Sequence, residues 1–166
     1  MYDLSAVERL GEPMKTINQK ISDEMIELTK QLVAVPSVNS TDGERHIGEF
    51  IESYIREIPY FKENPGLVII SHLKNDSLRR RNVFALLKGK EGCRKTLIFH
   101  GHTDTVGVKD YGHLEPYAFD ADALMSALAD MPELPPDARS DLESEEYLFG
   151  RGSCDMKSGD AVFMVL

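Results

Sequence analysis

Two stretches of this 166-residue chain carry residue types from which catalytic sites are built. The first, Thr96–Val106, opens as Thr-Leu-Ile-Phe and ends in His100, Gly101, His102, Thr103 and Asp104. The apolar residues at its front favour a buried strand. Alternate residues of a strand face the same side, so His100, His102 and Asp104 would point together. Such a trio suits a cation: an imidazole binds it through one ring nitrogen while a carboxylate holds the other N–H. Satisfied histidines at an ordinary strand end are the competing reading.

The second stretch is Gly150–Gly159, Gly-Arg-Gly-Ser-Cys-Asp-Met-Lys-Ser-Gly. One reading is a phosphate-cradling loop that opens a helix. Met156, however, stands before Lys157 where the P-loop pattern requires glycine. A second reading makes Cys154 a nucleophile with His102 as its base. A third puts Asp155 on a sharp glycine turn, where its carboxylate bridges two cations or caps the following helix.

The elements that must position these stretches are legible in part. A helix is expected from Ser22, with Met25, Leu28 and Leu32 at helical spacing and Pro36 ending it. Thr41-Asp42-Gly43-Glu44 fits a capping box for a second helix, whose apolar stripe is Ile47, Phe50, Ile51, Tyr54, Ile55 and Ile58. His46 falls on its surface. Strands are expected over Leu67–Leu73, Asn82–Leu87, Thr96–His100 and Tyr147–Phe149, a helix over Ala121–Ala129, and a buried helix from Asp160. Helices followed by strands suggest an α/β or α+β layer.

Composition narrows the class. Apolar residues make up 42% of the chain, which is globular, and no apolar run is long enough for a transmembrane helix. The first twenty residues lack the apolar core of a signal peptide. Cys93 and Cys154 are isolated, as in a cytoplasmic protein with free thiols. The net charge of −9 is uneven: residues 108–146 hold eleven acids against two bases, and residues 74–95 hold eight bases against two acids. The overall sign and the lack of aromatics among the bases oppose nucleic-acid binding.

Taken together, the two stretches resemble a known family. His102-x-Asp104 after an apolar run, followed by Gly-Arg-Gly-x-x-Asp-Met-Lys-x-Gly, is similar to the motifs of the dinuclear zinc peptidases and deacylases. That family includes aminoacylase, acetylornithine deacetylase, succinyl-diaminopimelate desuccinylase and the glutamate-type carboxypeptidases. The resemblance covers Ser22 to Leu166 and includes the loop Val35-Pro36-Ser37-Val38. Within the family, Arg81–Ala85, Asp104–Gly107 and Asp141–Ser144 with Phe149–Gly152 look most like the arginine-utilization members.

The resemblance implies a fold, a site and an activity. The fold would be α/β: a mixed sheet with helices on its faces, the phosphorylase/hydrolase-like catalytic domain of a zinc peptidase, truncated. Residues 1–21 would be an N-terminal extension. Residues 22–166 would form the N-terminal part of the catalytic domain, without its C-terminal half or its inserted dimerisation and lid domain. His102 and Asp155 would be metal ligands, Asp155 bridging two zinc ions, with cobalt or manganese as alternatives. Asp104 would be the catalytic residue behind His102, orienting its imidazole, with His100 only a neighbour. The reaction would be hydrolysis of an amide or peptide bond in a small amino-acid derivative, in arginine or related catabolism.

The family's general base lies in a Glu pair downstream of the bridging Asp, and its remaining ligands come later still. Glu145-Glu146 precedes Asp155 and does not match that pair. The chain is therefore expected to be an inactive N-terminal piece that self-associates as a homo-oligomer, in the cytoplasm, with no nucleic-acid or membrane partner. A catalytically silent binding protein on the same scaffold is the alternative.

Overall fold

The computed structural model describes residues 11–92 and 94–166, with side chains described from residue 19 onward. Helix α1 spans Gly11–Val33, so it starts well ahead of the cap expected at Ser22. The expected extension over residues 1–21 is thus helical from Gly11, and residues 1–10 lie outside the described residues. Leu28, Leu32 and Val33 are buried on the last turns of α1.

Helix α2, Gly43–Glu57, begins where the capping box was expected, with its bonds shifted by one residue. The Gly43 N–H donates to Thr41 Oγ1 at 3.2 Å, and the Ser40 N–H donates to Glu44 Oε2 at 2.7 Å. Gly43 is required at this start, since a Cβ there would lie 1.8 Å from the Pro36 carbonyl oxygen. Ile47, Ile51 and Ile55 are buried along the expected stripe, and His46 is exposed.

Pro59 ends α2 and opens the short helix α3, Pro59–Glu63. Strand β1, Val68–His72, then pairs antiparallel with β2, Arg81–Ala85, Val68 opposite Ala85 and His72 opposite Arg81. Helix α2 packs on this hairpin. Arg81 fastens the two, reaching Glu49 at 2.9 Å and Glu52 at 3.1 Å. Arg80 bonds Asp76 at 2.9 Å and Glu44 at 3.4 Å, so two arginines of the basic run are engaged in ion pairs.

The core joins Leu28 and Leu32 of α1, the α2 isoleucines, Phe61, Val68 and Ala161. Ala161 belongs to helix α6, Ser158–Val165, which forms where a buried helix was expected after the glycine-rich stretch but buries only Asp160 and Ala161. The acidic segment holds α4 at Ala121–Ala129, as expected, capped by Asp120 accepting from the Ala123 N–H at 3.0 Å. It also holds α5, Pro136–Ser144, which was not expected. No helix among the described residues is long and apolar enough to cross a membrane.

The sheet differs from the expected mixed one. Among the described residues it has two strands, both antiparallel, within a helix-rich α/β arrangement. Thr96–His100 and Tyr147–Phe149 form no strand. A strand needs a neighbouring backbone for its N–H and C=O groups. Among the described residues, the longer stretch Thr96–Val106 meets such a neighbour only near its end, in a single parallel bridge between Val38 and Thr105, and Thr96–His100 meets none. Leu97 and Ile98 are left 77% and 80% exposed. His102 therefore sits in a loop and Asp155 in the distorted helical turn Ser153–Lys157, neither at a strand end.

Candidate functional site

The glycine-rich stretch folds into a tight turn ahead of α6. Gly152 adopts φ +83°, and the Lys157 N–H donates to the Gly152 carbonyl at 3.0 Å, closing the turn. Gly152 cannot be replaced cheaply: a Cβ there would lie 2.6 Å from Thr105 Cγ2. The turn is thus pressed against the segment that carries His102 and Asp104. The Asp155–Met156 peptide bond is cis.

His102 lies between two carboxylates. Its Nε2 is 2.8 Å from Asp155 Oδ1, and its Nδ1 is 3.3 Å from Asp104 Oδ1. The Asn39 amide donates to the other Asp104 oxygen at 3.2 Å. The His102 backbone N–H faces Met156 Sδ at 3.4 Å. The hydrogen bond to Asp155 raises the His102 pKa, partial burial opposes the rise, and the Asp104 charge adds to it. These side chains open onto a cleft of about 250 Å³, lined also by Arg151 and Cys154.

Two buried charges lie beneath. Lys157 is 1% exposed, and its ammonium donates to the carbonyls of Leu32 and Val35, each at 2.8 Å. Burial pushes its pKa down to about 8. Asp160, 8% exposed, is pressed against Gly101, where a Cβ would lie 2.0 Å from its Oδ1. Asp160 Oδ2 has no hydrogen-bond partner among the described residues, and burial pushes its pKa up to about 6. At the rim, Arg151 bonds Asp110 at 2.5 Å and stacks over Tyr111, 4.8 Å from the ring centroid.

The structure thus brings His102, Asp104 and Asp155 together. Cys154 is exposed on the same cleft, His100 is exposed, and Cys93 lies outside the described residues. Sequence reasoning missed Ser37, Asn39, Lys157 and Asp160. The Val35–Val38 loop and the matched Lys157 were the available signals, but neither betrays which groups they bond.

Among the described residues, no three His, Cys, Asp or Glu side chains converge as a metal cage. The donors present nevertheless suit a shared cation. One imidazole nitrogen and one carboxylate oxygen converge, and the second ring nitrogen is held by a carboxylate, as zinc-ligating histidines are. A four-coordinate zinc site needs further ligands.

With this geometry in place, comparison with known proteins shows what the chain resembles. Its relatives include members of the dinuclear zinc peptidase and deacylase family, among them succinyl-diaminopimelate desuccinylases. The chain is 44% identical to protein RocB of Bacillus subtilis (strain 168) over 137 residues, 82% of this chain and 24% of RocB. It is 33% identical over 144 residues to uncharacterized protein YqjN of the same strain, covering 86% of this chain and 26% of YqjN. It is 30% identical over 141 residues to the succinyl-diaminopimelate desuccinylase of Polynucleobacter necessarius, covering 84% and 30%. The chain therefore spans about a quarter of the length of RocB and YqjN (24% and 26%), in keeping with the expected longer parent. No family profile and no solved structure matches it.

Proposed function

We propose that this chain supplies part of the active site of a metal-dependent hydrolase. The substrate would be an amide or peptide in a small amino-acid derivative, in arginine or related amino-acid breakdown. The observation that carries the reading is the 2.8 Å approach of His102 Nε2 to Asp155 Oδ1, with Asp104 behind the ring. His102 and Asp155 would hold zinc, with cobalt or manganese as alternatives. A metal pair there would polarise the scissile carbonyl and make water a stronger acid.

The roles of the chain's own residues follow from their contacts. In the metal-free chain the Nε2 N–H donates to Asp155; with a cation between them, Asp104 would hold the ring proton at Nδ1 and leave the Nε2 lone pair for the metal. Asn39 holds the far oxygen of Asp104 and so fixes the plane of that carboxylate. Arg151 ties the acidic segment to the cleft rim through Asp110. The general base and the remaining ligands would come from outside these 166 residues. Alone, the chain would bind metal weakly and turn over no substrate. It would work in the cytoplasm without nucleic acid or membrane, as a homo-oligomer.

The test uses the parent protein. Elemental analysis by mass spectrometry is expected to find two zinc ions per chain, and a panel of N-acyl amino acids and dipeptides to reveal a substrate. A metal-free parent that hydrolyses none of them would overturn the proposal. Bound zinc without turnover would favour a silent binding protein on the same scaffold.

A further inference from the structure

Five residues after α1 carry both halves of the site. Val35, at the start of this loop, accepts a hydrogen bond from the Lys157 ammonium at 2.8 Å, as does Leu32 at the end of α1. Two residues on, Ser37 is fully buried, and its hydroxyl donates to the Thr103 carbonyl at 2.6 Å. The Thr105 N–H donates to the Ser37 carbonyl at 2.8 Å, and the Asn39 N–H donates to the Thr105 carbonyl at 2.8 Å. One buried side chain thus hangs the Asp155 turn on this loop, and another hangs the His102–Asp104 segment on it.

We propose that Lys157 and Ser37 are positioning residues which, through the shared loop Val35–Asn39, set the separation of His102 and Asp155. The inference rests on the reading of those two residues as metal ligands. Three features make the anchor stiff. The ammonium sits on two carbonyls at the C-terminal end of α1, that of Leu32, which also accepts from the Val35 N–H at 3.2 Å, and that of Val35, where a cation is stabilised by both hydrogen bonds and the helix dipole. The stem of Lys157 lies against Gly152, whose absent Cβ would be 3.2 Å from Lys157 Cδ. The Phe119 ring lies over the ammonium, 5.9 Å from Nζ. A buried lysine satisfied by two carbonyls cannot drift without leaving charge and carbonyls unpaired. Asp155, two residues away and 84% exposed at its side chain, has no comparable restraint of its own.

The experiment compares Ser37→Ala, Lys157→Met and a control, Ile55→Val, in the buried face of α2 away from the site. Zinc affinity of the 166-residue chain is measured by calorimetry. The ¹⁵N shift of His102 Nε2 is read in the metal-free labelled protein. Both anchor variants are expected to weaken zinc binding about tenfold or more, at the lower end of what outer partners of a ligand contribute. Both should move the His102 Nε2 resonance away from its hydrogen-bonded position, while Ile55→Val changes neither quantity. If Lys157→Met does not fold, Ser37→Ala alone decides, because it removes one hydroxyl and little volume. An unmoved His102 resonance in Ser37→Ala, or an equal shift in Ile55→Val, would overturn the proposal. Zinc binding by the chain alone is expected to be weak, so where none is detected the His102 resonance decides on the anchors and metal analysis of the parent protein decides on the ligand reading.

Discussion

Asp104 Oδ1 lies 3.3 Å from His102 Nδ1, while Asp155 approaches the opposite ring nitrogen of the same imidazole. The two carboxylates therefore act on His102 in different ways. Asp104 fixes the ring, and Asp155 stands where a shared cation would be. Asp104→Ala frees the ring and lowers its basicity. Zinc affinity of the chain is expected to fall about 10–100-fold, the usual effect of removing a ligand's hydrogen-bond partner. Because the Asp104 side chain is partly exposed, thermal stability should change by no more than about 0.5 kcal/mol. Calorimetric titration beside a melting curve checks both. Unchanged affinity would show that Asp104 does not orient the imidazole.

Asp160 gives the fold a specific pH dependence. Its carboxyl ionises at 3.8 in the unfolded chain and at about 6 in the folded one, because burial disfavours the charge. The folded state therefore keeps the proton to higher pH. The stability linked to it is full below 3.8 and is lost as pH rises through about 6. Lys157 acts elsewhere: its pKa falls from 10.5 to about 8, so its charge costs stability below that range and the cost is relieved as pH rises through it. Asp160→Asn should remove the slope between pH 4 and 7. Relative to wild type, the variant should gain about 2 kcal/mol across that interval, from roughly 1.4 kcal/mol per pKa unit. Urea unfolding at several pH values measures this, and parallel curves for the two proteins would refute it.

Gly152 is the hinge of the Asp155 turn. Its φ of +83° disfavours any residue with a Cβ, and the added carbon would meet Thr105 Cγ2 at 2.6 Å. Both effects act in the folded state. Gly152→Ala is expected to destabilise by about 2–4 kcal/mol, combining left-handed strain with overpacking. Gly107→Ala, where a Cβ would meet nothing within 4 Å, is the control and should melt near the wild-type temperature. Equal melting temperatures for the two variants would contradict the tight contact between turn and His102 segment.

The sequence makes some elements legible because their signals are local. The α2 stripe, the Ala121–Ala129 helix and the β1 and β2 runs repeat or cluster within a few residues, and each forms close to its expected bounds. The N-terminal part of α1 was hidden because the residues before Ser22 carry little periodic apolar signal, while Ser22 with Asp23 and Glu24 reads as a helix start. Thr96–His100 has the composition of a strand, but a strand is completed by a partner, and composition says nothing of where one lies. The motif spacing pointed to His102, Asp104 and Asp155, which the fold does bring together. Ser37, Lys157 and Asp160 stayed unseen because what distinguishes them is burial, and burial of a polar side chain is set by neighbours remote in sequence.

The run Leu97-Ile98-Phe99, which pairs with no strand among the described residues, bears on association. Leu97 and Ile98 are 77% and 80% exposed, and Phe99 is 54% exposed although it stacks on Phe163 at 5.0 Å. An exposed apolar segment with free backbone groups is a template for pairing with another chain. A second copy offers the same segment and satisfies both the apolar surface and the open hydrogen bonds. Ile98→Lys places a charge at the centre of this run while removing almost no packing within the chain. Light scattering should find wild type associated and the variant shifted toward monomer, with melting temperatures that converge on dilution as association of wild type is lost. A wild-type chain that is monomeric at high concentration, or a variant that associates as strongly, would show that the run does not join copies.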